Sequence, residues 1–199
     1  MIQFIEHVRI DVSQIVARHK QTDEAFKRLY WDMQDRFGDR QYGYRVCLHE
    51  AAHAILMEQS GIKNVRFSGP AILFDLEKNP KTGFFPIGAM ASGDDTPMQR
   101  ITVDWILEVL THIAAGGIAL YDYEGVPLEN SDLSGADDDY RVFLMRYAAL
   151  PPALRQEAPE IMWRRVQARA SAKLNEAETK AKVLARAKQY FESLYPTRP

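Results

Sequence analysis

The sequence predicts a mainly α-helical fold with one small β element, either a hairpin or a three-stranded sheet. Most of the chain carries apolar residues at the helical period, and only the stretch from Val65 to Ala91 has short β-prone runs. The composition, 46% apolar and 26% charged residues, is typical of a globular protein. At 199 residues we expect a single domain, with an N-terminal helical segment at 1–38, a core at 43–149 and a C-terminal helical segment at 151–195.

The first helical region runs from Ile2 to about Phe37, where the apolar spacing predicts one or two amphipathic helices that end at Gly38. The next helix, from Tyr44 to about Gln59, is apolar around most of its circumference, which is typical of a central helix. Ser60-Gly61 is the predicted end of this second helix.

The β element consists of three short runs, VRFSG, AILFDL and FFPIGAM. They are separated by Gly69-Pro70 and by the turn-forming residues at 79–83. Beyond them, Thr96-Pro97 is a predicted N-cap and first position of a long helix that reaches Leu120. Gly116-Gly117 lowers the stability of that helix unless something packs closely against it.

The last part of the chain is also predicted to be helical. Ser134 with Asp137 resembles a capping box for a helix that runs to about Leu150, and Pro151-Pro152 then ends it. Residues 153–194 are rich in Ala, Arg, Lys, Glu and Leu at helical spacing.

Charge and cysteine content exclude several classes of function. The net charge of −2 gives no basic surplus for nucleic acid, so we expect no DNA or RNA partner. The single cysteine, Cys47, cannot form an internal disulfide, which favours a reducing cytoplasm. The N-terminus lacks a signal-peptide pattern, and no apolar stretch is long enough for a membrane span.

The most specific motif is HEAAH in the second helix. His49 and His53 are four residues apart and therefore share one face of the helix, where both imidazoles can reach one zinc ion. Glu50 lies beside the first of them and can accept a proton from a water that the zinc activates. The alternative is that both histidines are satisfied by hydrogen bonds in the core, but one metal ion satisfies the two histidines and the acid together.

The residues alone leave the third zinc ligand open. An extended HExxHxxGxxH motif would place a histidine at position 59, which is Gln59 here. His112 is one alternative, and the acidic cluster of Asp137, Asp138 and Asp139 is a stronger one. Acids in a first helical turn are also explained by capping and by the helix dipole, so the choice stays open at this point.

The run VCLHEAAHAIL resembles the zinc-peptidase domains of the FtsH-type family, which belong to membrane-bound AAA proteases. In that family a Gly-Gly helix follows, and then a segment whose aspartate is the third zinc ligand. Gly116-Gly117 and the segment SGADDD stand here in the same order. The resemblance implies a helical zinc-peptidase fold with its β element near the active site, and Asp139 as the third ligand.

The chain also departs from the family pattern. After Gly116-Gly117 it reads Ile-Ala-Leu-Tyr-Asp instead of Arg-Ala-Ala-Glu-Glu, which leaves Asp122 as the nearest supporting carboxylate. The sequence contains no phosphate-binding loop of an ATPase. We therefore expect a stand-alone, ATP-independent peptidase for flexible or unfolded polypeptides; a homo-oligomer or a separate partner protein stays open.

The sequence is compatible with three functions. The first is a zinc metalloendopeptidase in which Glu50 is the general base. The second is a binding or scaffold protein that retains the zinc site without turnover, and the third is a hydrolase for a substrate other than a peptide. For the peptidase, we expect the substrate to add as a strand to the edge formed by Ala71 to Leu76.

Overall fold

A computed structural model describes residues 20–74, 79–94, 103–155 and 157–196. The predicted helix before Lys20, the Thr96-Pro97 helix start, and Asp75 and Leu76 of the predicted edge strand lie outside these residues. Within them the prediction of a mainly helical fold is confirmed. The described residues form eight α-helices, in chain order α1 Lys20–Gly38, α2 Arg40–Gln59, α3 Val103–Thr111, α4 Ala115–Glu124, α5 Ser131–Ser134, α6 Ala136–Ala148, α7 Pro159–Leu174 and α8 Ala177–Leu194.

The central helix is α2, as its apolar composition predicts. It begins four residues earlier than expected because Asp39 is its N-cap and accepts a hydrogen bond from the backbone N–H of Gln41 at 2.8 Å. It ends at the predicted place, where Gly61 has a φ of 83° that glycine adopts without strain. Helices α1, α4 and α8 pack against it, and its buried residues belong to the main hydrophobic core, so the motif lies in this core.

The β element is one long hairpin with an interruption. Strands β1 (Arg66–Ser68) and β4 (Met90–Ser92) pair antiparallel, and so do β2 (Ala71–Phe74) and β3 (Phe84–Ile87). Ser68 lies opposite Met90 and Ala71 opposite Ile87, so two residues on each side separate the pairs without a change of register. The hairpin alternative is therefore correct, and FFPIGAM contributes to both β3 and β4.

The predicted continuous helix through Leu120 is broken. A 3₁₀ turn at His112–Ala114 separates α3 from α4. Another helix packs closely against Gly116-Gly117, because a Cβ at position 117 would lie 3.2 Å from the Cβ of Ala136 on α6. Glycine at this position lets α4 approach α6 closely.

The capping box at Ser134 is wrong in its details. Gly135, with a φ of 66°, is the N-cap of α6 and gives no side-chain cap, while Ser134 ends α5. The Ser134 hydroxyl accepts from the backbone N–H of Ala136 at 3.2 Å and donates to the carbonyl of Leu128 at 3.0 Å. It therefore joins the short helix α5 to the start of α6.

The C-terminal segment forms two helices, with a break at Asn175-Glu176. Helix α7 is tied to α3 by Glu108, which pairs with Arg169 at 2.8 Å and with Lys173. Burial alone would raise the pKa of the Glu108 carboxyl, but these two basic partners outweigh it, so this pKa lies below its usual value. No helix in the described ranges is both long enough and apolar enough to cross a membrane.

Candidate metal centre

His49, His53 and Asp139 form a cluster at the centre of the molecule. The Nε2 atoms of the two histidines are 2.9 Å apart, and the Asp139 Oδ1 atom lies 3.6 Å from the first and 3.2 Å from the second. The two histidines come from successive turns of α2, whereas Asp139 comes from the first turns of α6. The structure thus brings together the three residues that the sequence predicts as metal ligands.

The spacing of these atoms fits a zinc site. Ligand atoms that bind zinc at 2.0–2.1 Å in a tetrahedral arrangement lie roughly 3.3 Å from each other. The three separations of 2.9, 3.2 and 3.6 Å lie on either side of this value. Two imidazoles and a carboxylate are also a donor set that zinc accepts, and with three protein ligands a fourth position remains for water.

The tautomer of His53 is also the one that a metal ligand needs. Its Nδ1 donates a hydrogen bond to the backbone carbonyl of His112 at 2.6 Å, which leaves the Nε2 lone pair for a metal ion. The 3₁₀ turn at His112–Ala114 carries this carbonyl. His112, the alternative third ligand, thus contributes its backbone, and its ring does not belong to the cluster.

Among the three predicted acids, only Asp139 faces the histidines. It is buried, whereas Asp137 and Asp138 are exposed and Asp138 pairs with Arg141 at 3.0 Å. The second carboxylate oxygen of Asp139, Oδ2, is buried without a hydrogen-bond partner within the described residues. Such an atom is rare in folded proteins, and a cation bound beside the carboxylate would give it a partner.

Charges in the cluster are strongly coupled. Burial alone would lower the pKa of His53, but the negative charge of Asp139 and its hydrogen bond raise this pKa to about 9. In turn burial would raise the pKa of Asp139, but the positive charges of His53 and His49 hold it well below its usual range. The site therefore stabilises positive charge between the three side chains, which a divalent cation would supply.

Two glycines make room for His49. A Cβ at Gly116 would lie closer than 3.0 Å to the Cε1, Nδ1 and Nε2 atoms of the His49 ring. A Cβ at Gly135 would lie 2.8 Å from the same Cε1 atom, and Gly135 also has a positive φ. Glycine at these positions therefore lets α4 and the start of α6 close around the imidazole.

Glu50 lies beside the cluster without belonging to it. It is 8% exposed, and its Oε2 accepts a hydrogen bond of 2.6 Å from the backbone N–H of Ala91 on β4. Its Oε1 is 3.9 Å from the His49 Nε2 atom. The hairpin thus fixes one oxygen of the carboxylate, and the other faces the ligand atoms.

The cluster opens into a cleft of about 1040 Å³. Its walls come from α1, α2, α3, α6 and one side of the hairpin, where every residue from Pro86 to Asp94 lines it. None of Ala71, Ile72 and Leu73, the residues of the predicted edge whose side chains the structure describes, lines the cleft, so that prediction is wrong. The reason is the pairing: β2 lies on the far side of the hairpin, and the strand containing β4 contacts Glu50.

Asp122 is not a supporting carboxylate of this site. Its Oδ2 accepts hydrogen bonds from the Ser171 hydroxyl at 2.8 Å and from the Asn175 amide at 2.9 Å, and it does not line the cleft. The expectation that rested on the FtsH-type pattern is therefore wrong at this position. The N–H of Ala91 and the carbonyl of His112 hold Glu50 and His53 instead. Neither follows from a sequence motif, because both are backbone groups.

Comparisons of the chain with known protein families, with curated proteins and with solved structures find no match. The FtsH-type resemblance thus stays a prediction from short motifs. What the chain does must be argued from its own site.

Proposed function

We propose that this protein is a zinc-dependent metallopeptidase that hydrolyses flexible or unfolded polypeptides without an ATPase of its own. One observation carries the proposal: His49, His53 and Asp139 form a triangle of zinc-ligand dimensions, and the Glu50 carboxylate lies beside it in an open cleft. Membership of the FtsH-type family is part of the proposal. A reducing cytoplasm is also part of it, because Cys47 is buried and unpaired.

Each residue has a distinct role in the proposed reaction. The two histidines and Asp139 hold the metal, and a zinc ion bound there would polarise the scissile carbonyl and lower the pKa of a water molecule. Glu50 accepts the proton of the attacking water and returns it to the leaving amine. The hydrogen bond from Ala91 keeps the carboxylate in the orientation that this transfer needs.

The hairpin supplies a way to hold an extended substrate. Because the N–H of Ala91 donates to Glu50, it points away from β1, and this outer edge of the strand borders the cleft. A peptide that lies along residues 86–94 can form backbone hydrogen bonds there whatever its sequence. Such a substrate must be extended, which favours flexible segments over folded domains.

Hydrolysis of casein by the zinc-loaded protein tests the proposal. We expect cleavage by the wild type, its loss on treatment with a chelator, and its recovery on addition of zinc. Glu50→Gln should keep the metal and lose cleavage, because an amide cannot accept the proton. The matched control is Glu58→Gln on the same helix, whose carboxylate pairs with Arg186 outside the cleft and whose loss should leave cleavage unchanged.

The scaffold alternative makes a different prediction in the same experiment. A wild-type protein that holds zinc but cleaves neither casein nor flexible peptides would contradict the peptidase proposal and support a binding role. Cleavage by Glu50→Gln at the wild-type rate would remove Glu50 as the base.

A further inference from the structure

Arg45 lies in the cleft, one helical turn before His49 on α2. It is the charged residue of α2 that lies between the N-terminal turn of the helix and the HEAAH motif. Its side chain is 22% exposed, so most of it is removed from water. A charged group placed this close to a catalytic centre calls for a partner of opposite charge.

The ion pair that Arg45 forms within the fold is weak. The Arg45 Nε atom is 3.9 Å from Oε2 of Glu124 on α4, which is too long for a hydrogen bond. This Nε is buried and has no hydrogen-bond partner in the part of the chain that the structure describes. Buried donors are rarely left unpaired in native proteins, and a ligand is one of the reasons why some are.

The surrounding wall of the cleft is positively charged. The lining residues from α1 and from the first two turns of α2 are Met33, Arg36, Phe37, Tyr42, Arg45 and Val46. Both charged residues among them are arginines. The guanidinium group binds carboxylates with two parallel hydrogen bonds, which a lysine cannot do.

We infer that Arg45 is a specificity-determining residue that binds a carboxylate of the substrate near the scissile bond. The carboxylate belongs either to an acidic side chain or to the C-terminus of the peptide, and both offer the same planar pair of oxygens. The inference rests on the proposed peptidase function. It predicts that peptides with a carboxylate in this position bind more tightly than their amide counterparts.

The competing explanation is a structural ion pair between Arg45 and Glu124. The two explanations predict different effects of Glu124→Gln on the binding of acidic peptides. In a structural pair, loss of either partner weakens the fold and leaves the preference for acidic peptides unchanged. In a substrate-binding role, Glu124 competes with the substrate carboxylate for Arg45. Glu124→Gln should then strengthen the binding of an acidic peptide, whereas Arg45→Gln should weaken it.

The experiment measures peptide binding in a zinc-loaded Glu50→Gln protein, so that cleavage does not interfere. The probes are fluorescent octapeptides of alanine and leucine, used as matched pairs. In one set a single Glu or Gln moves through the positions, and in the other the C-terminus is a carboxylate or a carboxamide. The two sets distinguish an acidic side chain from the terminal carboxylate. Arg45→Gln and Glu124→Gln are then each added to this protein.

We expect one acidic peptide to bind at least about tenfold more tightly than its amide partner, the effect of one charge-assisted hydrogen bond. The ratio should fall to near one in Arg45→Gln and rise in Glu124→Gln. Equal ratios in all three proteins, a fall in both variants, or no peptide binding at all would overturn the inference. If the wild type cleaves peptides without any preference for acidic ones, the inference about Arg45 is overturned and the peptidase proposal stands. If acidic peptides bind in an Arg45-dependent way but the wild type cleaves none, the inference stands and the peptidase proposal is overturned.

Discussion

Replacement of Gly116 by alanine should abolish tight zinc binding although residue 116 is not a ligand. The new Cβ would lie closer than 3.0 Å to three atoms of the His49 ring, whereas carbon atoms in contact are about 3.5–4.0 Å apart. The ring must therefore retreat by at least about 0.5–1 Å. A zinc ligand tolerates a displacement of only about 0.2 Å, so His49 would leave the coordination sphere.

The expected loss in zinc affinity is at least about a hundredfold, measured by competition with a chromophoric chelator. Gly117→Ala is the matched control, because its Cβ would meet Ala136 at 3.2 Å and no ligand. Alanine favours a helix by about 1 kcal/mol over glycine, so both substitutions would stabilise α4 if nothing packed against it. Equal zinc affinity of the two variants would refute the reasoning.

Further substitutions test the third ligand, the hydrogen bond to Glu50 and the ion pairs of Glu108. Asp139→Asn should lower zinc affinity by more than about a hundredfold, whereas Asp138→Asn, at an exposed position, should leave zinc affinity unchanged. A loss of affinity in Asp138→Asn but not in Asp139→Asn would show that Asp139 is not the ligand. Ala91→Pro removes the N–H that holds Glu50 but no bond of the β1–β4 ladder, so kcat should fall while zinc content stays the same. The pKa of Glu108 is lowered in the folded protein, so its contribution to stability is present above the ordinary value of 4.5 and is lost as the pH falls below it. In urea unfolding experiments, the free energy of unfolding of Glu108→Gln should not show this loss at acid pH.

Local patterns predict most of the helices and three of the four residues of the site. His49, Glu50 and His53 follow from a spacing within one helix, because residues four apart on a helix always share a face. The hairpin follows from short β-prone runs and the turn residues between them. These features depend on neighbours in sequence, which the chain itself displays.

Long-range contacts decide the rest. Asp139 is one of three consecutive aspartates. The geometry of α6 turns its side chain toward the histidines, whereas Asp137 and Asp138 are exposed. The run Ala71 to Leu76 lacks proline and glycine, which favours an uninterrupted edge strand, but pairing within the hairpin puts β4 against the cleft. The 3₁₀ turn at His112 has no breaker in its sequence, and its carbonyl is used by a residue 59 positions earlier.

X-ray absorption at the zinc K edge of the zinc-loaded protein tests the central claim most directly, because it reports the atoms around the metal. We expect one zinc ion per chain with two imidazole nitrogens and two oxygens, all at about 2.0–2.1 Å. Glu50→Gln and Asp138→Asn should leave this set of neighbours unchanged, because neither residue is a ligand. A sulfur neighbour at about 2.3 Å, a shell of six oxygens, or a spectrum that His49→Ala leaves unaltered would contradict the assignment.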